Sequence, residues 1–450
     1  MARNEFSALL GAEQRVAVIG AGVAACALAA SLRRGGWAGP LSLWESGRGP
    51  GGRAASRRSR QDSELCLDHG APLLSIVAEP APALLDPLLR RGVLAPWSGT
   101  IRGLDGEGRL TLTADSPYCR GRLFRGEGGM DSLCRGLLEL AGLEGHGPIA
   151  GHYGVLVRQL RRLATGGWQL LDAEGSVLEE VDWLLLSSTL LAHPRSRLLL
   201  NWPEVPLQQA LRQAPATSPA SPAASPASLT GPASRAASPA TSPASPATGP
   251  AAPPDPRLDH ALAAIASLRS EARSNLLLLA SGAQAAAWEA LPFRLLEFDA
   301  AAAQRWGLQR VSVQPFAPGR CGLVAHSTAT FAAEHLSVYG SRSSIATVLG
   351  VAPQPEQEAA VIEALSEALA AALAAWLTPE QLAGADRQLM RWGAAFPLHP
   401  GLPAPLQLCP ASRVGFCGDY VEVEGFGRIE AALRSAESLA EELLAPMASG

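Results

Sequence analysis

Apolar and polar positions near the start of the chain predict a strand, a helix and a second strand in close succession. Residues 16–19 form a continuous apolar run, which is typical of a buried parallel strand. Apolar residues between Cys26 and Leu32 then recur at the spacing of one helix face. A second apolar run, residues 41–45, ends in Glu45. This order predicts the first βαβ unit of a parallel sheet.

The turn between the first strand and the helix carries a GxGxx(G/A) pattern formed by Gly20, Gly22 and Ala25. Glycines let the backbone turn sharply and approach a pyrophosphate, and the amides of the helix that follows face the phosphates. Glu45 can accept hydrogen bonds from both ribose hydroxyls and would repel a 2′-phosphate. The segment therefore predicts a site for a dinucleotide without that phosphate.

A second glycine turn follows Glu45 almost immediately. Gly51 and Gly52 open further backbone amides, and Arg53 can pair with a diphosphate as a planar fork. The first turn alone is weak evidence, because glycine turns also precede helices for purely structural reasons. Glu45, at the expected separation from the first turn, and the second glycine turn together favour a nucleotide site.

The middle of the chain predicts a second, sheet-based domain with helical cover. Strand-like segments are short apolar runs bounded by turn residues, and they lie at 154–160, 168–177, 181–188, 310–316 and 321–328. Helical patterns begin at Glu334 and at Glu356. The tail, residues 413–444, has the pattern of a strand, a turn and an amphipathic helix that can return to the first domain.

Residues 214–256 consist of Ser-Pro-Ala and Thr-Ser-Pro-Ala repeats, with Leu229 as the one bulky apolar residue. Such a segment cannot bury enough surface to offset its ordering entropy. We expect a disordered insertion whose flanking residues lie close together, because a long surface loop adds little to the free energy of closure.

Composition excludes several functions. The net charge of −4 offers no broad basic surface for nucleic acid, and no uncharged apolar run is long enough to span a membrane. The seven cysteines are scattered without a CxxC pair and no leader pattern precedes the first strand, so a cytoplasmic location is expected. The histidines are too scattered for a metal motif. No lysine occurs, which excludes a Walker phosphate loop, a pyridoxal Schiff base and a lysine general base.

The tail carries a second anion-binding pattern. Gly418 and Asp419 end an apolar strand, and Gly427, Arg428 and Ile429 open the last helix. Helix amides at this point could face the polar edge of a flavin or its ribityl-phosphate chain, with Asp419 holding a ribityl hydroxyl. An aspartate that merely caps a turn is the plain alternative, and the cradle at the other end of the chain makes the flavin interpretation the stronger one.

Several segments resemble the renalase-like branch of the flavin-dependent amine oxidase superfamily. They cover nearly the whole chain outside the repeats and lie at residues 47–58, 67–75, 124–137, 314–336, 390–398 and 418–440. The resemblance implies an α/β protein with a Rossmann-like FAD-binding domain of the glutathione reductase type and a second, mainly antiparallel-sheet substrate domain covered by helices. It implies that FAD is bound without a covalent link.

Domain boundaries follow from the same resemblance. The FAD-binding domain is expected at 12–75, 120–195 and 405–450, and the substrate domain at 76–119, 196–213 and 257–404. The residues that resemble FAD contacts are those of the two cradles together with Gly70, Ala71 and, as an adenine neighbour, Val157.

The implied activity is oxidation of dihydronicotinamide isomers to the ordinary oxidised dinucleotide, with oxygen as acceptor and hydrogen peroxide as second product. An amine oxidase or an isoprenoid desaturase is the second hypothesis, and a flavin-binding scaffold without turnover is the third. Amine oxidases of this superfamily often place a lysine near the flavin, and this chain has none. Pro72 and its neighbours replace the family's usual aromatic residue, so the substrate cavity is expected to differ.

Hydride transfer to a flavin needs chiefly alignment and a dry face over the ring. Trp392 is a candidate wall of the cavity, Arg391 could fix a substrate phosphate or carbonyl, and His69 could donate to substrate. A packed strand with a snorkelling arginine and a structural histidine are the plain alternatives. Cys409 and Cys417 precede the tail motif, where some amine oxidases tether flavin, but small apolar packing is the favoured interpretation.

Overall fold

The structure, a computed structural model, describes residues 8–113, 116–143, 147, 149–199, 202–216, 255–341 and 343–446. Its strands, in chain order, are β1 (Val16–Ile19), β2 (Leu41–Glu45), β3 (Ser56–Arg58), β4 (Cys66–Asp68), β5 (Leu74–Ile76), β6 (Leu94–Pro96), β7 (Ile101–Leu104), β8 (Leu110–Thr111), β9 (Arg122–Gly126), β10 (Ile149–Tyr153), β11 (Gln159–Arg162), β12 (Trp168–Leu171), β13 (Val177–Val181), β14 (Trp183–Leu186), β15 (Arg269–Ser281), β16 (Leu295–Phe298), β17 (Leu308–Ala317), β18 (Arg320–Ser327), β19 (Asp386–Leu398), β20 (Leu402–Pro403), β21 (Leu408–Cys409), β22 (Val414–Phe416) and β23 (Val421–Glu422).

The α-helices are α1 (Val23–Arg34), α2 (Leu85–Arg90), α3 (Asp131–Leu143), α4 (Ser196–Leu199), α5 (Pro206–Arg212), α6 (Pro256–Ser267), α7 (Gly282–Glu289), α8 (Ala300–Trp306), α9 (Ala329–Glu334), α10 (Ser344–Leu349), α11 (Pro355–Ala372), α12 (Pro379–Leu382) and α13 (Ile429–Leu444). Short 3-10 helices lie at Gly52–Ala54, Pro117–Cys119, Thr189–Leu191, Ala404–Leu406 and Pro410–Ser412.

A six-stranded sheet forms the first domain, with the strand order β10-β2-β1-β14-β22-β21. All neighbours in it pair in parallel except β21, which pairs antiparallel with β22. The central strands β2, β1, β14 and β22 are buried on both faces, which explains their apolar sequence, whereas the edge strand β10 is partly exposed. One face packs on α1, α3 and α13 through residues such as Val18, Leu28 and Leu433, and the other packs on α6 and the β11–β13 meander.

A seven-stranded sheet forms the second domain, with the strand order β19-β15-β18-β17-β16-β7-β8. Its pairs are antiparallel except for β16 with β7. One face is apolar and lies under α7, α8 and α11, where Trp288, Leu323 and Leu365 are fully buried. The alternate residues of the same strands point to the opposite face, which meets the first domain.

The contact between the first domain and the second sheet is formed by β4 and the residue after it, His69. Leu67 packs on Leu277 of β15 in a small apolar cluster. Gln314 of β17 exchanges two hydrogen bonds with the backbone of Asp68, of 2.8 and 2.9 Å. Asn275 of β15 donates to the carbonyl of His69 at 2.6 Å. The segment that follows the flavin-loop candidate therefore lies on the polar face of the second sheet.

The predicted fold class is confirmed: a Rossmann-like domain is joined to a mainly antiparallel sheet covered by helices. Some local expectations were wrong. Residues 154–158 lie outside strand β11, because this stretch leaves the β2 edge through backbone bonds to Glu45 and Gly47. Glu334 ends α9 instead of beginning a helix, because Thr328 caps that helix six residues earlier.

Packing also redraws the expected domain boundaries. Ile76 and Leu88, assigned by sequence to the substrate domain, lie in the core beneath α1, and Leu258 of α6 lies in the core on the other face of the same sheet. The structure describes both ends of the expected insertion, residues 214–216 and 255–256: Ala216 donates to the carbonyl of Arg162, and Pro256 opens α6. Residues 217–254, the rest of that insertion, lie outside the described residues. Among the helices that are described, none is long and apolar enough to cross a membrane.

Candidate functional site

The first cradle is the turn between β1 and α1. Gly20 has a φ of +106°, and a Cβ on it would lie 2.5 Å from Oγ of Ser187. The fold itself therefore requires glycine at this position. In the part of the chain that the structure describes, no side chain caps the N-terminus of α1. Its first amides are free to meet an anion.

Gly22 is glycine for a different reason. Its φ of −78° suits any residue, and a Cβ on it would meet only Cα of Gly52, at 3.8 Å. Gly22 forms a parallel bridge with Gly51, so the second glycine turn lies directly against the first. Ala25 is fully buried in the core on the inner face of α1. The fold would accept a side chain at Gly22, but that side chain would occupy the space before the helix amides.

Glu45 stands at the end of β2 beside this turn, as predicted. One carboxylate oxygen accepts from the amide of Ala21 at 2.9 Å and the other from the amide of Gly47 at 2.6 Å. Ser46 Oγ also donates to the second oxygen, at 3.2 Å, so these bonds fix the carboxylate and leave a lone pair for a hydroxyl on the oxygen that faces Ala21. The backbone of Val155 bonds to the carbonyl of Glu45, and Val157 is buried two residues further on, which brings the proposed adenine neighbour to this corner.

Arg53 and Asp419 meet each other across the molecule. The two nitrogens of the guanidinium donate to the two carboxylate oxygens at 2.5 and 2.6 Å, which is a bidentate pair. One nitrogen also donates to the carbonyl of Ala395 in β19 at 2.9 Å. The sequence assigned these side chains to a diphosphate and to a ribityl hydroxyl. The structure also pairs the two side chains with each other, in a clamp that joins the cradle loop, the tail and the second sheet.

Arg195 is a second cation at this place, and sequence reasoning missed it. Burial, and secondarily the charge of Arg53, lowers its pKa to about 10, although the charge of Asp419 acts in the opposite direction. Its guanidinium donates to Thr189 Oγ1 at 3.3 Å. The local sequence has no glycine turn or periodic pattern that could have indicated the role.

The second cradle is the N-terminus of α13. Gly427 has a φ of +74° and donates its amide to the carbonyl of Asp419 at 2.9 Å. Arg428 takes the N-cap position without a side-chain cap bond, among the described residues, and Ile429 begins the helix. The guanidinium of Arg428 lies 3.1 Å from Glu430, so this arginine is paired within its own helix.

Gly418 is locked beneath the same helix. Its amide donates to Ser435 Oγ at 2.9 Å, and that hydroxyl returns a bond to its carbonyl at 3.0 Å. A Cβ on Gly418 would lie 2.3 Å from the ring of Tyr420. The glycine is therefore required by packing.

Gly70 and Ala71 lie against the cradle loop. The amide of Ala71 donates to the carbonyl of Arg53 at 3.0 Å, and a Cβ on Gly70 would lie 2.0 Å from that same oxygen. Close backbone approach is thus the reason for glycine at this position.

His69 and Trp392, two of the candidate site residues, lie in contact with each other. Their rings are stacked with centroids 5.4 Å apart, and Trp392 Nε1 donates to the His69 carbonyl at 3.3 Å. Burial, and secondarily the charge of Arg57, lowers the pKa of His69 to about 4. The imidazole is therefore neutral at pH 7, and its Nδ1 has no partner among the residues that are described.

Arg391 does not join this group. Successive residues of a strand point to opposite faces, so Arg391 shares the face of Leu389, which lies in the helix-covered core. Its guanidinium sits 4.3 Å from the ring centroid of Tyr339. Arg391 and Trp392 are adjacent in sequence, so their side chains lie on opposite faces of the sheet.

Cys409 and Cys417 are both fully buried. Burial raises the pKa of each thiol to about 12, so neither is a thiolate at neutral pH. Their environment is that of packed apolar side chains.

Over the residues that the structure covers, no group of three His, Cys, Asp or Glu side chains could hold a metal ion.

Comparisons with known proteins agree with this architecture. The family model of the NAD(P)-binding Rossmann-like domain matches residues 18–88. No curated protein sequence matches the chain. Three similar solved structures are a protein assigned as a protoporphyrinogen oxidase from Exiguobacterium sp. 255-15 (13% identity, TM-score 0.57), a putrescine oxidase variant (12%, 0.54) and cyclohexylamine oxidase from Brevibacterium oxydans IH-35A (12%, 0.53). They cover 95, 96 and 96% of this chain and 98, 98 and 99% of their own.

These likenesses extend over both sheets, so they concern the whole two-domain arrangement. At such low identity they establish the fold.

Proposed function

We propose that the chain is an FAD-dependent oxidoreductase that takes a hydride from a small reduced donor. The observation that carries the proposal is the convergence of two uncapped helix N-termini, those of α1 and α13, on the clamp formed by Arg53 and Asp419. Two such termini, far apart in sequence, supply amides at both ends of a dinucleotide. The solved structures with this fold include oxidases acting on amines and a protein named for porphyrinogen oxidation.

The residues present fit FAD. Space before α1 is kept open by Gly22, which the fold does not itself require to be glycine. The Glu45 oxygen that accepts from Ala21 offers a free lone pair to a ribose that carries no 2′-phosphate. Arg53 keeps 41% of its side chain exposed while it holds Asp419, so its outer edge remains available to a diphosphate. Bound FAD would supply a two-electron acceptor that oxygen can reoxidise, giving hydrogen peroxide.

The protein's own residues orient the donor and exclude water. Trp392 and the neutral ring of His69 form an uncharged wall on the second sheet, held by the bond from Asn275 to the His69 carbonyl. An uncharged, dry wall suits hydride transfer, which needs alignment more than proton transfer.

Within this class we favour oxidation of a dihydronicotinamide isomer, as in renalase-like enzymes. Support comes from the resemblance of six sequence segments and from the absence of lysine in a superfamily whose amine oxidases often use one. An amine oxidase, an isoprenoid desaturase and a scaffold that does not turn over remain the competing outcomes of the experiment.

The experiment is an anaerobic donor screen followed through flavin absorbance. Purified protein is expected to be yellow and to release FAD on denaturation. The α and 6-dihydro isomers should bleach the flavin much faster than ordinary reduced nicotinamide. Bleaching only by amines, only by polyenes or by no donor would replace the proposal with the corresponding alternative. Folded protein that refuses FAD would reject the whole class.

Two glycine variants test the cradle itself. Gly22→Ala should fold with nearly unchanged stability but retain at least tenfold less FAD, because its methyl group fills only the ligand space. Gly20→Ala is the matched comparison and should lose folded protein as well, because its Cβ collides with Ser187. Full FAD content in Gly22→Ala would show that the phosphates do not approach this turn.

A further inference from the structure

A cavity of about 290 Å³ opens on the polar face of the second sheet. The residues that line it come from five different strands or the loops beside them, namely Arg273, Glu297, Gln309, Arg310, His326 and Phe396. Arg310 and His326 are register partners on β17 and β18, and Glu297 is the register partner of Arg310 on β16. Register partners share a face, so these polar groups are gathered by the sheet itself.

Arg310 is the unusual member of this group. It is 8% exposed, and within 4 Å of its guanidinium the described residues provide no carboxylate. Its two terminal nitrogens donate to Tyr118 Oη at 2.9 Å and to His326 Nδ1 at 3.1 Å, both uncharged acceptors. Arg273 differs, because Glu271 accepts from it at 2.5 Å. A buried guanidinium normally has an anionic partner, and this one has none.

The cluster also has more donors than acceptors. An arginine can only donate, so His326 Nδ1 accepts from it and the proton of the neutral ring lies on Nε2. That Nε2 and the Nε of Arg310 are buried and have no partner among the described residues. Burial, and then the charges of Arg310 and Arg273, hold the pKa of His326 well below its ordinary value. The N–H groups at His326 Nε2 and Arg310 Nε are therefore left without an acceptor among the described residues.

The cavity adjoins the cofactor cradles through the end of β19. Phe396 lines the cavity, and the guanidinium of Arg273 lies 5.2 Å from its ring centroid. The preceding residue, Ala395, accepts the bond from Arg53. The following residue, Pro397, lies 3.8 Å from the position of a Cβ on Gly427. The residues on either side of Phe396 therefore contact the clamp and the N-terminus of α13, so the cavity lies within one residue of both along β19.

We propose that Arg310, supported by Arg273 and Tyr118, binds an oxyanion of the electron donor, either a phosphate or a carboxylate. This inference rests on the proposed function, since it names the class of donor for that site. The planar guanidinium suits two oxygens of such a group, and it replaces Arg391, which the sequence suggested for this role. Glu297 lines the same cavity and weakens the attraction without cancelling it, because it forms no ion pair with Arg310 within the described residues.

The first experiment measures equilibrium binding of inorganic phosphate and of acetate to the purified full-length protein by calorimetry. Arg310→Met is expected to weaken binding of the anion that wild type binds more tightly at least tenfold. The more tightly bound anion shows whether the donor's oxyanion is a phosphate or a carboxylate. Arg269→Met removes an exposed arginine from the same strand as Arg273 and should change nothing. Equal affinities in the wild type and both variants, or no binding of either anion to the wild type, would overturn the proposal.

Glu297→Gln keeps the shape of the side chain and needs no change in the buried cluster. It should tighten anion binding severalfold, and unchanged or weaker binding would count against the site even if Arg310→Met failed to fold.

A second readout compares anaerobic flavin bleaching by dihydronicotinamide riboside and by its 5′-phosphate. Wild type should prefer the charged donor in kcat/KM at least tenfold, and Arg310→Met should lose the preference. Anion binding that persists while no donor bleaches the flavin would reject the proposed function and retain the subsite.

Discussion

At the scale of single residues, the site depends on charged groups whose partners lie far away in sequence. Arg53 and Asp419 are joined by two hydrogen bonds across most of the chain. The sequence placed both at the cofactor but gave no sign that each would hold the other. A bidentate pair with one nearly buried partner is both a positioning device and a contribution to folding.

Replacement of Arg53 tests this double role. Arg53→Ala should lower FAD content severalfold and the free energy of unfolding by about 2–4 kcal/mol, because the nearly buried Asp419 loses its bidentate partner. Arg391→Ala is the control, since it removes only a contact with the Tyr339 ring, worth about 0.5–1 kcal/mol. Flavin content after gel filtration and urea unfolding measure the two effects. Equal flavin occupancy in wild type and both variants would contradict the assignment.

Two neighbouring residues, Asp68 and His69, make opposite contributions to acid stability. Burial raises the pKa of Asp68 to about 6, so between roughly pH 4 and 6 the folded state holds this proton better than the unfolded state, and stability is gained as pH falls. Burial lowers the pKa of His69 to about 4, so from about pH 6.5 down to 4 the unfolded state takes up a proton that the folded state does not, and stability is lost as pH falls.

Replacing Asp68 and His69 one at a time tests their opposite contributions to stability in acid. Asp68→Asn keeps the acceptor for Ser56 and Met130, and should make the free energy of unfolding fall more steeply between pH 6.5 and 4.5, by about 2 kcal/mol. His69→Phe keeps a ring against Trp392 and should make the fall shallower. Urea unfolding at the two pH values measures the slopes, and parallel slopes in all three proteins would show that neither group is perturbed.

At the scale of elements, α13 is tied by two glutamates to the segment between β5 and α2. Glu430 is fully buried and accepts from the amides of Val77 and Ala78, at 3.1 and 2.8 Å. Two turns later, Glu437 accepts from the amide of Leu84 at 2.9 Å. The helix therefore supplies acceptors to a loop and to the start of α2, in addition to its apolar face.

Loss of the first carboxylate should be costly. Glu430→Ala leaves the buried amide of Ala78 and the partly buried amide of Val77 without this acceptor, and is expected to lower the free energy of unfolding by about 2–4 kcal/mol. Glu441→Ala, on the exposed side of the same helix, should change it by less than about 0.5 kcal/mol. Denaturant unfolding of the two variants and wild type makes the comparison. Similar small losses in both would mean that water replaces the carboxylate.

At the scale of the whole molecule, both ends of the insertion meet one surface of the first domain. Ala216 donates to the carbonyl of Arg162, whose guanidinium donates to the carbonyl of Ala411 at 3.4 Å. Asp255 caps α6 and accepts from the hydroxyl of Ser412 at 2.6 Å. The chain leaves and returns at neighbouring places, which is what tolerance of a long insertion requires.

Shortening the insertion should therefore be harmless. Replacement of residues 217–254 by a Gly-Ser linker of about ten residues should raise the free energy of unfolding by about 1 kcal/mol, because loop closure becomes less costly. FAD content should not change. A scrambled insertion of the original length controls for composition. Loss of folded protein or of flavin in the shortened chain alone would show that these residues take part in the fold or the site.

Local sequence determined the parts of the protein whose interactions are local. The apolar runs of β1 and β2, the two glycine turns and the amphipathic pattern of α13 predicted their elements and bounds, because backbone conformation and burial periodicity act over a few residues. The assignment of both chain ends to one nucleotide rested on the same turns and on a family resemblance. The cofactor-binding residues stay predictions until flavin is measured.

Tertiary structure alone decided which side chains share a surface. The partnership of Arg53 with Asp419, the opposite facing of Arg391 and the gathering of Arg310 and His326 depend on strand register and on how the two sheets meet. Helix α6 joined the first domain although it follows the repeats, because its apolar face completed that core. Such outcomes arise from contacts between residues hundreds of positions apart, and no local pattern encodes the distance at which two charges will finally lie.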